Sequence, residues 1–545
     1  MKIAVVVLLT LFTFDFVSGQ QSKMKKNGSI KKAQSDSITQ SLLKITEEII
    51  YNIPVIDENS LKENIELMVS PSLHAGRDPF KSVVSFQFSS MRFQQRGLAS
   101  NYSNVTVNGL PMMDIASSTG LWNNWSGLND IFKISESSNG LQQNSFASSA
   151  IGESSNLDIR ASKKRAQTNF GYGFSNRSNN QRLQFSSSSG MLKNGWAYTI
   201  GVGGHYSLMP VIFGTFNNGL NYYFGIDKKI SNHLLSLALF ESKNRSGKQA
   251  AILNESEKIL GNPLYNPSWG YQNNVVRNAN TSSQNAPILL LTHEWRFSNQ
   301  NFLQTSMALS EANRNTTGLD WYHAPDPRPD YYRYLPSFQT DPALKEQVVS
   351  LLQLDVNKRQ INWDGLYEVN SINKENIFNA NGIAGNTVSG KRARYIIENR
   401  KAQITRLNFA SSYHGRWNES ILFDIGIAAS FQKIHYFKTV NDLLGADFYV
   451  NWNQFAESEM PVNSYAIQND LITPNRILRK GDAFGYDYNI LYHKTNVWSH
   501  LIIPIRRFEI YLDEELVATQ FWRIGNTRNG LFPENSFGKS IVYNF

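Results

Sequence analysis

The chain has 545 residues and no cysteine, with 53 lysines and arginines against 44 aspartates and glutamates. Without cysteine it belongs neither to the disulfide-stapled secreted domains nor to the proteins anchored by an acylated cysteine. The net charge of +9 is spread along the whole length, so no basic patch indicates a nucleic-acid partner.

Residues 1–19 are predicted to be a signal peptide. The stretch MKIAVVVLLTLFTFDFVSGQ begins with a lysine, continues with an apolar run from Ile3 to Phe14 and ends in small residues before Gln20. This run is shorter than the about 20 residues that a helix needs to cross a bilayer. We expect cleavage before Gln20, followed by a linker over residues 20–52.

Residues 53–165 are mixed in pattern and punctuated by glycine. The segment RFQQRGLASNYSNVTVNGLPMMD contains an Arg96-Gly97 break and an Asn108-Gly109 pair followed by Pro111. Asn-Gly tolerates positive φ at both central positions of a tight turn, so this pair predicts a β-hairpin. We expect a compact α+β domain here, ahead of the strands that follow.

From residue 166 to 545 the apolar residues alternate with small polar ones. TNFGYGFSN, WAYTIGVG and ILFDIGIAASF each carry apolar side chains at every second position, which is typical of strands with one apolar face. Sandwiches, soluble barrels and membrane barrels share this pattern. The export signal and the tryptophans near strand ends favour an antiparallel transmembrane β-barrel. These tryptophans are Trp196, Trp295, Trp417, Trp498 and Trp522.

Three stretches interrupt the alternation and predict long loops: 242–286, 311–400 and 438–483. At about 10 residues per membrane strand, the remainder has room for roughly a dozen strands. The last residues, IVYNF, have the aromatic-ended pattern of a strand that closes a barrel.

Several of these motifs resemble one known family. TVNGLPMMD, LWNNWSGLNDIF and SSAIGESSNLDIRASKKR are similar to the plug domain of TonB-dependent outer-membrane receptors, and NPSWGYQNNVVRNA and TTGLDWYHAPDPRPDYYRYLPSF are similar to extracellular loops of one large subfamily. The resemblance runs from about Ile53 to the C-terminus. It implies a mostly β protein of the Gram-negative outer membrane, with an N-terminal α+β plug inside a barrel of about 22 strands.

The resemblance also implies a function and partners. It implies energised uptake of a scarce small ligand, which could be a metal chelate, a sugar or a peptide. The partners would be a TonB-type energy-coupling protein of the inner membrane and the outer-membrane lipid. Since only roughly a dozen strands fit, we expect the barrel to be incomplete, the chain to be truncated at its C-terminus and transport to be impaired.

Partner recognition by strand addition needs an extended, accessible segment. ITEEIIYNIP is the apolar, strand-prone piece of the linker, so Ile45, Ile49 and Ile50 are the candidate coupling residues. The alternative is that these residues simply begin the plug core.

We expect the ligand contacts to come from amphipathic aromatic residues and arginines, because such side chains supply contact area at small entropic cost. Two places offer them, the apex of the plug and one proline-rich loop. The candidates are Trp122, Trp125, Trp321, Tyr322, Arg328, Tyr331, Tyr332 and Arg333.

Enzymatic activity is not expected. The nine histidines are scattered, with no pair at metal-ligand spacing on one helix, and we predict no metal and no cofactor. Asp326 and Asp330 flank Arg328, but the neighbouring prolines explain this stretch better as a rigid loop. Two alternatives to the receptor stay open: a passive porin-like or adhesive barrel, and a secreted carbohydrate-binding β-protein. A plug argues against a porin, and a detergent requirement would argue against the secreted protein.

Overall fold

Strands dominate the part of the chain that the structure describes. The computed structural model describes residues 55–56, 98–140, 144–148, 150–175, 180–207, 211–417, 420–461 and 464–544. The predicted signal peptide, the linker, the coupling residues Ile45, Ile49 and Ile50, and the Arg96-Gly97 break lie outside the described residues. Within the described ranges, no helix is both long and apolar enough to cross a membrane.

The region predicted as a plug contains a small sheet with short hairpins. Its strands are β1 (Val55–Ile56), β2 (Asn104–Val107), β3 (Leu110–Pro111), β4 (Met113–Asp114), β5 (Thr119–Gly120), β6 (Ser135–Gly140) and β7 (Ala150–Leu157). The sheet order is β1-β6-β7-β2-β3, and β2 runs parallel to β7. The helical turns in the described part of this region are all 3-10, at Ser100–Tyr102, Trp122–Trp125 and Ala161–Lys163.

A 13-stranded antiparallel sheet, which we call the wall, follows the plug. Its strands are β8 (Ala166–Phe174), β9 (Gln181–Ser189), β10 (Trp196–Tyr206), β11 (Phe216–Ile230), β12 (His233–Gly247), β15 (Thr281–Asn285), β16 (Ile288–Arg296), β17 (Phe302–Trp321), β20 (Tyr395–Trp417), β21 (Ile421–Asp442), β24 (Ala483–Ile505), β25 (Phe508–Gly525) and β26 (Gly538–Asn544). They pair in chain order, with β15 and β16 sharing the place between β12 and β17. The prediction of a mostly β protein with a large antiparallel sheet of roughly a dozen strands is confirmed.

The connections between wall strands carry further short elements. The strands are β13 (Trp269–Gln272), β14 (Val275–Asn278), β18 (Lys374–Phe378), β19 (Thr387–Lys391), β22 (Tyr449–Val450) and β23 (Ile477–Leu478), and the helices are α1 (Asn254–Leu260), α2 (Pro342–Leu354), α3 (Trp363–Ile372) and α4 (Gln454–Glu459). β13 pairs with β14, β18 with β19 and β22 with β23.

The wall strands run farther than the predicted loop ranges allow. β12 continues to Gly247, β17 to Trp321 and β21 to Asp442, while β20 already begins at Tyr395. β20 has 23 residues, which at about 3.4 Å per residue span roughly 75 Å, far more than the about 30 Å of a hydrocarbon core. Beyond that thickness both faces of a strand meet water, so the apolar alternation stops although the hydrogen-bonded ladder continues.

The two faces of the wall differ in character. On β12, Leu235, Leu237 and Leu239 are exposed on the outer face, whereas Ala238 and Phe240 are buried on the inner face. Neighbouring strands repeat this alternation, so the outer face carries a continuous band of exposed apolar side chains. The band includes Ile200, Phe224, Ile226, Leu289, Leu291, Met307, Leu309, Leu407, Phe409, Ile425 and Ile427.

The plug packs against the inner face of the wall. One hydrophobic core joins plug residues such as Val107 and Ile131 with the wall residues Phe240 and Leu290. Polar contacts extend the interface toward both ends of the sheet. Ser186 on β9 donates a hydrogen bond to Asp130 at 2.9 Å, and Ser148 of the plug donates to Glu515 on β25 at 2.6 Å. Because these contacts reach from β9 to β25, the wall must curve around the plug.

Buried ion pairs fasten the plug to the wall. Arg160, at the end of the plug, contacts Asp158 and Glu294 on β16, both at 2.6 Å. Arg406 on β20 contacts Asp114 on β4 at 2.7 Å. Both arginine side chains are at most 7% exposed. A buried charge is tolerated only when it is paired, so these contacts hold the plug in one position.

The predicted Asn-Gly hairpin is confirmed, and it also contacts the wall. Asn108 and Gly109 have φ of 48° and 72°, and Val107 pairs with Leu110 across the turn. The Asn108 amide donates a hydrogen bond to the Thr292 hydroxyl on β16 at 3.3 Å. The turn therefore positions the plug as well as reversing the chain.

We expect Gly109→Ala to destabilise the folded chain for two reasons. A side chain at positive φ costs about 1–3 kcal/mol. In addition, a Cβ at this position would lie 2.7 Å from Phe146 and 2.8 Å from Gln304, and such overpacking costs about 1–3 kcal/mol more. Chemical unfolding of the detergent-purified chain measures the loss. Gly261→Ala is the matched control, since Gly261 has φ of 58° but no described atom within 4 Å of an added Cβ. An equal loss of unfolding free energy in both variants would show that the close approach of the added Cβ to Phe146 and Gln304 contributes nothing.

Candidate functional site

Three long connections lie together at one end of the wall. We name them L1 (residues 248–280), L2 (residues 322–394) and L3 (residues 443–482). The connections at the opposite end are short, as between β11 and β12 or between β24 and β25. Barrels of the outer membrane have short turns on the periplasmic side and longer loops outside the cell. L1, L2 and L3 thus lie at the end of the wall opposite its short turns.

A buried arginine joins L2 to L3. Arg392 is 2% exposed and contacts Glu375 at 2.9 Å and Glu457 at 3.2 Å. Its guanidinium lies 4.0 Å from the ring centre of Tyr322 and 4.6 Å from that of Trp452. We call these five residues the Arg392 clamp. Because Glu457 and Trp452 belong to L3, the clamp holds the two loops in one arrangement.

The protonation states in the clamp suit these contacts. Burial raises the pKa of Tyr322 to about 12, so its hydroxyl stays protonated and donates to the Glu457 carboxylate. Burial also opposes the ionisation of Glu375, but Arg392 and Arg394 outweigh it and lower the pKa of Glu375. Glu375 is therefore ionised at neutral pH and pairs with Arg392.

Most of the predicted loop contacts form a partly exposed surface at the end of β17 and the start of L2. This surface, which we call the aromatic platform, comprises Trp321, Arg328, Tyr331, Tyr332, Arg333, Tyr334 and Phe338. The Arg328 guanidinium lies 5.6 Å from the ring centre of Trp321 and 5.8 Å from that of Tyr331. Tyr332 is 47% exposed and Phe338 52% exposed. The ring pairs of the platform pack edge-on, and exposed rings and arginines of this kind can accept a planar or anionic ligand.

Two further predicted contact residues are buried in packing roles. Tyr322 is 7% exposed and belongs to the Arg392 clamp. Trp125 is 3% exposed and stacks on Phe132 at 5.3 Å in the plug core. Trp122 is half-buried and packs edge-on against Trp125 at 5.7 Å. In this arrangement neither Tyr322 nor Trp125 offers a free surface, whereas Trp321, Arg328, Tyr331, Tyr332 and Arg333 lie together.

A polar cavity at the apex of the plug contains residues that the sequence analysis did not select. Its volume is about 180 Å³. The lining residues are Asn123, Ser126, His205, Asn217, Ser242, Asn244, Ser246, Lys248, Ser282 and Gln284. The signal was a serine or asparagine at every second position from 242 to 246, which is the inner face of β12. The predicted loop over residues 242–286 includes this stretch, so the sequence pattern does not indicate these lining residues.

A second cavity of about 300 Å³ lies under L1, near the ends of β11, β12 and β17. It is lined by Phe216, Arg245, Val276, Arg277, Asn278, Thr281, Thr317, Ile397 and Asn441. Arg277 contacts Asp442 at 2.7 Å and lies 4.3 Å from the ring centre of Trp363. L1 is thus tied to the end of β21 and to α3 in L2.

The described residues offer no group of three or more histidine, aspartate and glutamate side chains placed to hold a metal ion. Of the basic side chains that line the two cavities, Arg277 forms an ion pair, with Asp442 at 2.7 Å.

Comparison with known proteins finds likeness at the level of solved structures. No family model matches the chain, and no curated protein matches it. The ferric-catecholate import receptor Fiu of E. coli K12, in its open form, is 11% identical with a TM-score of 0.46, over 90% of this chain and 64% of that chain. The ferric citrate transporter FecA, unliganded, is 8% identical with a TM-score of 0.46, over 82% and 50%.

The pyoverdine outer membrane receptor FpvA of Pseudomonas aeruginosa PAO1, bound to pyoverdine, is 11% identical with a TM-score of 0.43, over 80% of this chain and 52% of that chain. This chain thus spans about half to two thirds of the length of the solved structures named here.

Proposed function

We propose that this chain is the plug and part of the barrel of an outer-membrane receptor that takes up a scarce ligand with energy from a TonB-type protein. The observation that carries the proposal is the position of the plug. Residues 98–165 occupy the inner side of a curved wall and are fastened there by buried ion pairs. A receptor that must be opened by an energised partner needs such a removable obstruction.

The plug and the outer face of the wall also weigh against the two alternatives. A passive porin needs an open, water-filled lumen, whereas the inner face of this wall is covered by the plug. A secreted carbohydrate-binding protein would not expose a continuous apolar band, since large exposed apolar patches mark contact with lipid or with another protein. The band on β12, β16, β17 and β20 fits a lipid environment instead.

Fractionation of a Gram-negative host that expresses the chain tests the location. We expect the protein in the detergent-soluble outer-membrane fraction, because the apolar band must be covered. Recovery of a folded, freely soluble chain from the periplasm or the medium would rule out this proposal. An outer-membrane porin and a periplasmic binding protein of the same host serve as markers for the two fractions.

Energy coupling is proposed to involve Ile45, Ile49 and Ile50. The support is an apolar, strand-prone sequence directly ahead of the plug, since strand addition gives affinity through main-chain hydrogen bonds. In a complete receptor, Ile49→Pro should abolish uptake but leave ligand binding unchanged, because proline removes a donor from the ladder. Ser35→Pro is the control. Loss of binding together with uptake would instead indicate that these residues belong to the plug core.

We expect ligand capture to depend on the aromatic platform. Replacement of Trp321, Tyr331 and Tyr332 by alanine removes the stacked surface and should weaken uptake in a complete receptor. The assay compares iron-labelled ferric citrate, a maltodextrin and an oligopeptide, one for each of the three ligand classes. Phe455→Ala, which removes an exposed aromatic residue of L3, is the control. If the variant imports the parent's ligand at an unchanged rate, these three residues only pack the loop and do not bind the ligand.

We further propose that the 545-residue chain does not transport by itself. β8 and β26 form the two ends of the wall and each pairs with one neighbour. In lipid, each unpaired backbone group costs several kcal/mol, so a sheet with these two edges should assemble poorly. Heat-modifiable migration on a gel and protease resistance test this. A compact, protease-resistant band from the chain alone would show that the backbone groups at the edges of β8 and β26 are paired.

A further inference from the structure

Two histidines meet on the outer face of the wall, away from the plug and the loops. His233 is the first residue of β12, directly after the short turn from β11, and His293 lies on the neighbouring strand β16. In the ladder His233 is opposite Trp295, and Leu235 is opposite His293. The two histidines are therefore diagonal neighbours on one face, a spacing that long and aromatic side chains can bridge.

Their ring nitrogens are close enough to share one ligand. Nδ1 of His233 lies 3.1 Å from Nε2 of His293, and the rings are 11° from parallel, with centroids 5.3 Å apart. Zinc binds imidazole nitrogen at about 2.0–2.1 Å. Two nitrogens bound to one zinc ion lie about 2.9 Å apart when the N–Zn–N angle is a right angle and about 3.4 Å apart when it is tetrahedral. The observed separation falls between these values, so rotation of the rings alone would aim both lone pairs at one ion.

The backbone on both sides is already ordered by the sheet. β12 and β16 pair without interruption from His233 to Phe240, and the Trp295 ring stacks on His233 with centroids 5.4 Å apart. Ligands on paired strands need little ordering when an ion binds, which favours affinity. Both histidines are partly exposed, and His233 directly follows the short turn from β11, so an ion can reach them from this end of the wall.

Within the part of the chain that the structure describes, no carboxylate forms a hydrogen bond or ion pair with His233 or His293. Glu294, next to His293, faces the inner side, where it accepts from Arg160 and Arg296, both at 2.6 Å. The site therefore has two protein ligands, both imidazoles. Imidazole suits copper, nickel and zinc, and among these divalent ions Cu²⁺ binds a given site most tightly.

We propose that His233 and His293 form a two-histidine site for a late first-row divalent metal ion at the short-turn end of the wall. Binding requires each neutral imidazole to carry its proton on the ring nitrogen that faces away from the pair, so that Nδ1 of His233 and Nε2 of His293 both present a lone pair to the metal. The ion then bridges β12 and β16. This site is separate from ligand uptake and does not depend on the proposed function.

Titration of the detergent-purified full chain with Cu²⁺, followed by electron paramagnetic resonance, tests the proposal. We expect one Cu²⁺ per chain with coupling to two nitrogens. His233→Gln and His293→Gln should each reduce the coupling to one nitrogen and weaken binding roughly tenfold or more, since loss of even an outer-shell partner of a ligand costs that much. His493→Gln is the control: His493 lies on β24 between the rings of Phe431 and Trp522 and should not affect binding.

The near-ultraviolet circular dichroism of each variant shows whether the chain has folded. The proposal is wrong if folded chain binds Cu²⁺ with no nitrogen coupling or with one nitrogen only. It is also wrong if the double variant, with both histidines replaced by glutamine, binds Cu²⁺ as tightly as the parent.

Discussion

Replacing Asp114 by asparagine is expected to loosen the plug from the wall and to lower the free energy of unfolding by about 3–5 kcal/mol. Asp114 lies on β4 of the plug, and its carboxylate accepts from Arg406 on β20 at 2.7 Å. Arg406 is 1% exposed. Asparagine can still accept a hydrogen bond, and Gln432 accepts another at 3.0 Å, but the buried guanidinium loses its counter-charge, which is costly.

A second arginine adds to this cost. Arg314 on β17 lies 3.7 Å from the same carboxylate, so Asp114 separates two positive charges. When residue 114 is neutral, no anion lies between the guanidinium groups of Arg406 and Arg314 to offset their mutual repulsion. The effect of Asp114→Asn should therefore exceed the loss of one hydrogen bond.

Chemical unfolding and protease cleavage of the plug measure this effect. Glu534→Gln is the matched control, because its pair with Arg528 spans 3.5 Å at the surface, with Glu534 85% exposed, and exposed pairs contribute about 0–1 kcal/mol. Similar losses in both variants would contradict the role of Asp114. A double variant with Asp114→Leu and Arg406→Met should recover part of the loss, since it removes both charges together.

Local signals in the sequence predicted the parts of the fold that depend on neighbours in the chain. The alternation of Leu235, Leu237 and Leu239 marked an outer strand face, because lipid-facing and inner residues must differ. The Asn108-Gly109 turn was predictable for the same reason, as its geometry depends on two residues. The contact of this turn with Thr292 was not, because the partner is 184 residues away.

The candidate site was predictable in its chemistry but not in its geometry. Aromatic composition selects Tyr332, which is exposed, Trp321, which is half-buried, and equally Tyr322, which is buried by Arg392 and Glu457 from distant parts of L2 and L3. Composition cannot separate these cases, since a ring suits a ligand surface and a packed core alike. Burial depends on which segments the fold brings together.

The strand segments between the apolar band and the long loops were not predictable from the sequence, for a different physical reason. Ser242 to Gly247 on β12 and Thr281 to Asn285 in β15 continue the ladder with polar residues on both faces. Hydrogen bonding between strands does not require an apolar face, so the pattern that identifies a strand in lipid vanishes above it. The polar cavity at the plug apex is lined from this stretch and was hidden with it.

Replacing Arg392 by glutamine is expected to separate L2 from L3. The change leaves Glu457, whose side chain is 4% exposed, without its positive partner and removes the cation from between Tyr322 and Trp452. Breaking a buried pair costs about 3–5 kcal/mol. If this cost falls on the loop contact, amide hydrogen exchange in peptides from L3 should accelerate by roughly two to three orders of magnitude.

Arg328→Gln provides the comparison, because Arg328 pairs with Asp326 within L2 and its side chain is 53% exposed. It should leave exchange in L3 unchanged. Equal exchange in the Arg392→Gln variant and the parent would show that other contacts hold the two loops together. Exchange in the plug strand β7 reports whether the variant has unfolded as a whole rather than locally.

The same clamp should make the loop contact sensitive to acid in the parent chain. Glu375 has its pKa lowered from the usual 4.5, since Arg392 and Arg394 outweigh its burial. A carboxyl group with a lowered pKa in the folded state stabilises that state above the unfolded pKa, and the stabilisation is lost as the pH falls through the lowered value. Exchange in L3, corrected for its intrinsic pH dependence, should stay slow from neutral pH to about 5 and rise below about 4.5. In the Arg392→Gln variant the chief cause of the lowered pKa is gone, so this acid-induced rise should shrink. An equally steep rise in both chains would assign the acid sensitivity to a group other than Glu375.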